Sequence, residues 1–568
     1  MTEAAAQADD ELEACFKVVE ARCREAGIVV SRLPEAAPGS LGLELHGASR
    51  IWKLDVACGW PRYTHLPLVR LRENHELLAH VLYRGGVCVD DAQGLSMDLD
   101  ARDQVVAYTV VKAWKLLEDS AVDADGDRSE FFNELGAYWG TLPDCLLARS
   151  AVEGRGSRRL VAQRLGQGKD ATWYFVERDI PPPPEFRLKN AVAHRGALFE
   201  LPAPLLPPAP GAPLDAEYVR KALESLDAHQ QLVWKDLAGP SMNGPREVAI
   251  LLSMPRSDGT QTHIGLSLHI SKGVPDPKKP VYPLDVVRHT TGYMRERGGA
   301  SESLQDKHVV IFGCGSVGSE LADALASSGV GKLTLVDEDV MSPDNVFRHL
   351  LGRSSVGFSK VVSCKVELES HYPELQVNAV RKAAEDWLTA TSLEGVHAIA
   401  MAVGLPTLER VLAQTVRAAG VTIPLLTTWL EPLDLGGHSV VVSGQGVGCL
   451  DCLYRDDEGA PSLSSRTAFL APNQKVSRNL TGCASVYVPY GALQSRRTAL
   501  MAAEHLLDAL DAGPVPSYRF WTGPGKQARA QGLASTNWWS GSRTTSHEDA
   551  TRMVFGEPCP KCRTGSAP

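Results

Sequence analysis

The sequence predicts three folds in series: a small α+β domain over residues 1–150, a mixed segment over 151–290, and an α/β domain built on a parallel sheet over 291–568. Three observations carry this. Beyond residue 290, short apolar runs alternate with amphipathic stretches at the spacing of βαβ units. The first of these units, His308 to Asp337, holds glycines in the order G-x-G-x-x-G between a strand and a helix. Near the amino terminus, a helical pattern, three or four strand-like runs and a second long helical pattern follow one another.

Composition narrows the class of protein. The chain has 568 residues, of which 44% are hydrophobic and 22% charged, enough apolar material for several cores. A net charge of -10 argues against a general nucleic-acid binder. No apolar run approaches the roughly 20 residues of a membrane span. The acidic start, MTEAAAQADDELEACF, lacks a secretory apolar core, so a cytoplasmic protein is expected. Its 12 cysteines then read as thiols or metal ligands rather than disulfides.

In chain order, Leu12, Cys15, Phe16, Val19 and Cys23 lie at helical spacing between Asp10 and Ala26. Strands are expected at Leu41–His46, Ile51–Val56 and Leu66–Leu71, with extended chain at Glu76–Tyr83 and Gly86–Asp90. A helix is expected from Asp100 to Asp119 and another over Glu130–Trp139. The middle segment is Pro-rich at IPPPPEF and LPAPLLPPAPGAPL. Its strand candidates are Thr172–Glu177, Ala197–Leu201, Glu247–Ser253 and His263–Ile270, with a helix at Leu214–Ala228. The last domain adds helix Lys360–His371, strands Gln376–Val380, Ala398–Val403 and Ile423–Thr428, and helices Thr407–Ala419 and Gly491–Leu507.

The glycine loop is the first functional signal. Val309–Phe312 reads as a buried strand, and Gly313, Gly315 and Gly318 allow a tight turn with backbone N–H groups open to phosphate. Strand Lys332–Val336 ends on Asp337, placed to accept ribose hydroxyls. These features suit NAD and ATP equally. The cysteines give a second signal. Cys449-Leu-Asp-Cys452 and Cys559-Pro-Lys-Cys562 are two C-x-x-C knuckles, the donor set of a closed structural Zn²⁺ site.

The stretch DEDVMSPDNVFRHLL followed by GFSK resembles ubiquitin-activating enzymes and their sulfur-transfer relatives, the ThiF/MoeB superfamily, over roughly residues 290–510. The matching positions are Asp337, Asp339, Val340, Asn345, Arg348 and Lys360. The resemblance implies a Rossmann-like E1-type adenylation domain that uses ATP and Mg²⁺. Asp337 would bind ribose, and Asn345, Arg348 and Lys360 the phosphates. A family Asp that aligns with Mg²⁺ falls at Leu405 here, which leaves Asp339 or Asp344 for the metal. A family arginine that reaches a partner subunit's phosphates points to Arg295 or Arg297, and so to a homodimer. The family also implies that the four knuckle cysteines hold zinc. Cys483, in NLTGCASVYVPYGAL ahead of a helix, matches the position of the thioester-forming thiol.

Cys88, in HVLYRGGVCVDD, faintly resembles the acceptor cysteine of ubiquitin-conjugating (E2-like, UBC-like) domains, without their His-Pro-Asn. The whole chain resembles bacterial E2-like/E1-like fusions of CBASS antiphage operons or of ubiquitination-related operons. Residues 151–290 read as a middle domain or structured linker, with an inactive adenylation-like copy as one form it could take. The function implied is activation of the C-terminal carboxylate of a ubiquitin-like protein or a cGAS-like nucleotidyltransferase (CD-NTase), and transfer from Cys483 to Cys88 and on to target lysines. Three alternatives stand beside it: a zinc-bearing adaptor, an NAD-dependent oxidoreductase, and a sulfur-carrier activator. The remaining cysteines, Cys15, Cys23, Cys58, Cys145, Cys314 and Cys364, read as packing residues.

Overall fold

A computed structural model describes residues 3–33, 39–48, 50–58, 65–73, 76–91, 93–98, 100–180, 191–239, 246–456, 458–479, 486–557 and 559–563. The chain divides into two compact units, 1–290 and 291–568.

The first unit begins with helix α1 (Glu3–Glu25). An antiparallel meander follows: β1 (Val29–Arg32), β2 (Ser40–His46), β3 (Ile51–Ala57), β4 (Val69–Leu71) and β5 (Gly86–Val87). Helix α2 (Arg102–Val122) packs on α1. Alternation in β2 and β3 sends Leu41, Leu43, Leu45, Trp52, Leu54 and Val56 into one core with Cys15, Val19 and Cys23 of α1 and Val106, Val110 and Leu117 of α2. Glu118 is buried in that core, where it accepts the Trp52 indole N–H (2.5 Å) and the Ala48 amide (2.7 Å). The extended chain expected at 76–83 is turns instead, with His80 in the left-handed region at φ 60.

The middle segment is neither a linker nor adenylation-like. Eight strands follow: β6 (Leu146–Ser150), β7 (Arg158–Leu165), β8 (Thr172–Glu177), β9 (Val192–Glu200), β10 (Arg246–Pro255), β11 (Gln261–Ser271), β12 (Val274–Pro275) and β13 (Tyr282–Arg288). Their order is β10-β9-β7-β8-β6-β13-β11-β12, and β10 also pairs with β11. Seven strands therefore close into a ring of ladders, a barrel with β12 appended. Strand register puts Ala148, Leu160, Ala162, Trp173, Phe175, Leu198, Ala249, Leu251 and Leu284 on its inner face.

The outer face is covered by helices α3 (Ala124–Asn133), α4 (Leu135–Gly140), α5 (Ala216–Glu224) and α6 (Ala228–Ala238). The Trp139 indole N–H reaches the Gly265 carbonyl (3.2 Å) and the Tyr138 hydroxyl the Pro208 carbonyl (2.8 Å). A division at residue 150 is therefore misplaced: α3, α4 and β6 belong to the barrel. The single helix expected at 130–139 is two, and the one at 214–228 is followed by a second.

The second unit opens with α7 (Thr291–Gly298). Its sheet runs β16 (Gln376–Val380), β15 (Lys332–Val336), β14 (His308–Phe312), β17 (Ala398–Met401), β18 (Pro424–Leu430), β19 (Gly436–Ser443), β22 (Ser517–Thr522). The first five are parallel and the last two antiparallel. Helices α8 (Gly318–Ser328), α9 (Lys360–His371) and α12 (Ala492–Ala512) contribute to one core, and α10 (Ala384–Ala390) and α11 (Pro406–Ala418) to the other. Two short strands, β20 (Arg478–Asn479) and β21 (Val486–Tyr487), pair with each other. Among the described residues no helix is long and apolar enough to cross a membrane.

Candidate functional site

Central strand β14 delivers the glycine loop. Gly313 is left-handed at φ 86, and a Cβ there would meet the Ala402 carbonyl oxygen at 2.7 Å. A Cβ on Gly318 would stand 1.8 Å from the Gly313 oxygen, so that glycine lets α8 start against the strand. Gly315 has nothing within 4 Å of its Cβ position. Two glycines are thus required by packing, and the middle one leaves an open approach to the loop, as a phosphate needs.

The other matched residues gather around this loop. Asp337, at the end of β15, accepts the Cys314 amide (2.7 Å) through one oxygen and the Asp339 amide (2.8 Å) through the other. Lys360 opens α9. It is only 7% exposed, and its Nζ lies 2.7 Å from the exposed Asp339 carboxylate. Arg348 donates through Nε and Nη2 to Asn345 Oδ1 (3.2 and 3.0 Å). Its guanidinium stacks 4.6 Å from the Tyr490 ring centre.

Two members of this group were given no role by the sequence analysis, although Tyr490 closes the G-C-x-x-x-x-x-P-Y stretch around Cys483. His349 is buried. Its Nδ1 accepts the Leu351 amide (3.1 Å), so Nε2 carries the proton donated to the Cys314 carbonyl (2.7 Å). Burial holds its pKa below the usual histidine range, so it braces the loop as a neutral ring. Tyr490 is the other, with its hydroxyl 2.8 Å from Ser316 Oγ. Cys314 itself is fully buried, and desolvation pushes its thiol well up.

Leu405 is exposed just ahead of α11, with no acid at that position. Nearby Glu409 is buried, accepts the Gly404 amide (2.9 Å) and has its carboxyl pushed up to about 7 by desolvation. Asp339 and Asp344 are both exposed. Arg295 donates to the Ser301 and Gly329 carbonyls (2.9 and 2.5 Å), whereas Arg297 is exposed.

The four knuckle cysteines converge. Cys449 and Cys559 have sulfurs 3.6 Å apart, Cys452 and Cys562 3.8 Å, and Cys559 and Cys562 3.7 Å, all buried. Four thiolates about 2.3 Å from a tetrahedral Zn²⁺ stand ~3.8 Å from one another, so this donor set fits the ion. The crowded thiols also split their acidities: a hydrogen bond from Cys449 holds Cys452 down and leaves Cys449 raised.

Cys88 is exposed directly after β5, and its amide donates to the His80 carbonyl (2.7 Å). His80 in turn is gripped by Glu134, at its ring (3.1 Å) and its amide (3.2 Å). Partial burial and the Glu134 charge raise the Cys88 thiol. Cys483 lies outside the described residues, between β20 and β21.

Residues 291–517 match the model of the ThiF family. The "ATP-dependent ubiquitin transferase-like protein Cap2" of Pseudomonas aeruginosa is 28% identical over 247 residues, 42% of this chain and 43% of that one. Cap2 of an Escherichia coli strain is 27% identical over 222 residues, 38% and 37% of the two chains. A solved structure of E. coli tRNA N6-threonylcarbamoyladenosine dehydratase, TcdA, with AMP is 20% identical, covering 39% of this chain and 93% of that one at a TM-score of 0.29. Over residues 291–517 the protein is thus similar to the ThiF family, and over part of its length to the bacterial Cap2 proteins. The chain spans less than half the length of these Cap2 relatives.

Proposed function

We propose that this protein is an E1-like/E2-like fusion enzyme that adenylates the C-terminal carboxylate of a small protein and passes the acyl group to a target amine. The observation that carries this reading is that Asp337, Asn345, Arg348 and Lys360 are all tied to the glycine loop, directly or through Asp339 and Tyr490, while Gly315 stays open. Two fixed cations beside a loop of backbone N–H groups suit a polyphosphate that a carboxylate must approach. Mg²⁺ would supply further charge neutralisation, held by Asp339 or Asp344.

In the first step the substrate carboxylate attacks the α-phosphate of ATP, forming the acyl-adenylate and releasing pyrophosphate. The Cys483 thiolate then displaces AMP, giving a thioester. Exchange onto Cys88 breaks one thioester as it makes another. A lysine amine finally attacks the acyl carbon, the C–S bond breaks, and the amine's proton is lost as the thiol re-forms. The exposed Cys88 between a meander sheet and helix α2 supports the E2-like role of the first fold. Zinc on Cys449, Cys452, Cys559 and Cys562 would tie the chain's end to the domain.

A homodimer is supported by the exposed Phe347, Phe358, Val362 and Val366 near Arg348 in sequence. With Arg295 engaged in its own subunit, Arg297 is the arginine left to reach a partner's phosphates. A ubiquitin-like protein or a nucleotidyltransferase tail as substrate, and a cytoplasmic setting, complete the reading.

ATP–pyrophosphate exchange with proteins ending in glycine is the direct test. Arg348→Ala and Lys360→Ala should each lower it by about 10²-fold or more. Exchange unaffected by either change would favour the adaptor reading, for which Leu405 is the supporting residue; NAD reduction in place of exchange would favour the oxidoreductase. Thioester trapping with Cys483→Ala and Cys88→Ala, tested separately, should lose both adducts in the first and only the second adduct in the second.

A further inference from the structure

Arg348 and Lys360 are held in contrasting ways. Lys360 is neutralised by Asp339 at 2.7 Å. Arg348 has no carboxylate in its described ion pairs or hydrogen bonds; its partners are the neutral Asn345 oxygen and the face of Tyr490. Its charge is therefore available to a ligand, and its guanidinium keeps donors free. Asn345 and Tyr490 together order it.

That ring is set rigidly. The preceding carbonyl, of Pro489, accepts the amide of Leu433 (2.6 Å). The following residue, Gly491, starts α12, whose Ala499, Ala502, Ala503 and Leu506 are buried in the sheet core. The hydroxyl then bonds Ser316, the second free position of the glycine loop, itself buried. One side chain thus joins the two halves of the phosphate cradle, loop and arginine, by a hydrogen bond on one side and a cation–π contact on the other.

We propose that Tyr490 is a positioning residue of the nucleotide site, fixing Arg348 and the Gly313–Gly318 loop relative to each other for the phosphates of ATP. This rests on the adenylation reading above. An arginine already ordered by a cation–π contact forfeits less entropy when phosphate arrives.

Equilibrium binding of ATP and of adenosine to the full-length protein tests it. Tyr490→Leu removes both contacts and should weaken ATP about tenfold while leaving adenosine within twofold, because adenosine has no phosphates to place. Tyr490→Phe keeps the ring and should lose only about threefold. Ser316→Ala should match it, and the double variant should lose no more than either alone, since all three remove the same hydrogen bond. ATP affinity in Tyr490→Leu within twofold of wild type would overturn the inference. So would a parallel loss of adenosine and ATP binding, the sign of a merely structural ring. Wild-type protein that binds no ATP would overturn the adenylation reading together with it.

Discussion

The loop at Gly313 and the surroundings of Cys88 are assembled at different ranges of sequence. The loop, Asp337, Asn345, Arg348 and Lys360 fall within 50 residues, and one βαβ unit with the turn after it places them. Cys88 is framed by His80, by Glu134 from the edge of α4, and by Asp90, which is paired with Lys112 of α2. The first environment is fixed by backbone geometry, glycines above all. The second is fixed by side chains from separate elements. A backbone-built site should fail abruptly when its glycines change, and a side-chain-built site should weaken by degrees.

The largest effect expected is from Gly318→Ala. Its Cβ would lie 1.8 Å from a carbonyl oxygen, so strand and helix must part, costing about 3 kcal/mol or more and abolishing nucleotide binding. Gly136→Ala, in α4 with nothing within 4 Å of the added carbon, should be neutral or stabilise by up to ~1 kcal/mol. Urea denaturation of the two variants measures the contrast, and equal losses would break it.

A smaller but clear effect is expected at the cysteine cluster, where side chains do fix backbone. Cys559→Ser should abolish stoichiometric zinc and speed proteolysis of the chain after α12. Metal analysis and timed proteolysis check this. Full zinc content in the variant would remove the cluster from the account.

The smallest effect is at Glu134. Its hydrogen bond and charge raise the His80 pKa, and His80 lowers that of Glu134. The Glu134 share of stability is present above the unfolded carboxyl pKa, near 4.3, and is lost as pH falls through the lowered folded value. The His80 share is full below its unfolded pKa, near 6.5, and is lost as pH rises through the raised one. Glu134→Gln should therefore cost most between about pH 4.5 and 6.5, and less at pH 9. The pair is partly exposed, so the difference should stay under ~1 kcal/mol. Thermal melts across that range decide it; a cost that grows with pH would reverse the assignment.

The same contrast explains what could be read from the residues alone. The glycine spacing and the C-x-x-C pairs are short-range patterns, so the parallel sheet and the converging thiols were legible. Tyr490 stood in the stretch around Cys483, but its role was not legible, because its partner Ser316 is 174 residues away and no local pattern links them. His349 was hidden for the opposite reason: a lone histidine beside Arg348 carries no spacing signal. The barrel was least legible. Strand β7, RRLVAQRL, mixes charge into its inner face at Arg164, and β6 finds its partner β13 only after the other strands have been made. The extended chain expected at 76–83 failed because two amides there, of Ala79 and His80, bond to side chains of Asp127 and Glu134 instead of to a strand.

Barrel closure also sets an order of events during synthesis. The β6 edge stays open until Tyr282–Arg288 has left the ribosome, although β7 to β11 can pair sooner. A ring whose first and last strands must meet folds late, with its sheet edges exposed in the interval. The glycine loop starts only some 25 residues beyond that last strand. The chain can thus complete this closure just before the strands of the glycine loop emerge, and a pause in synthesis once residue 290 has cleared the ribosome would give the first unit time to shut.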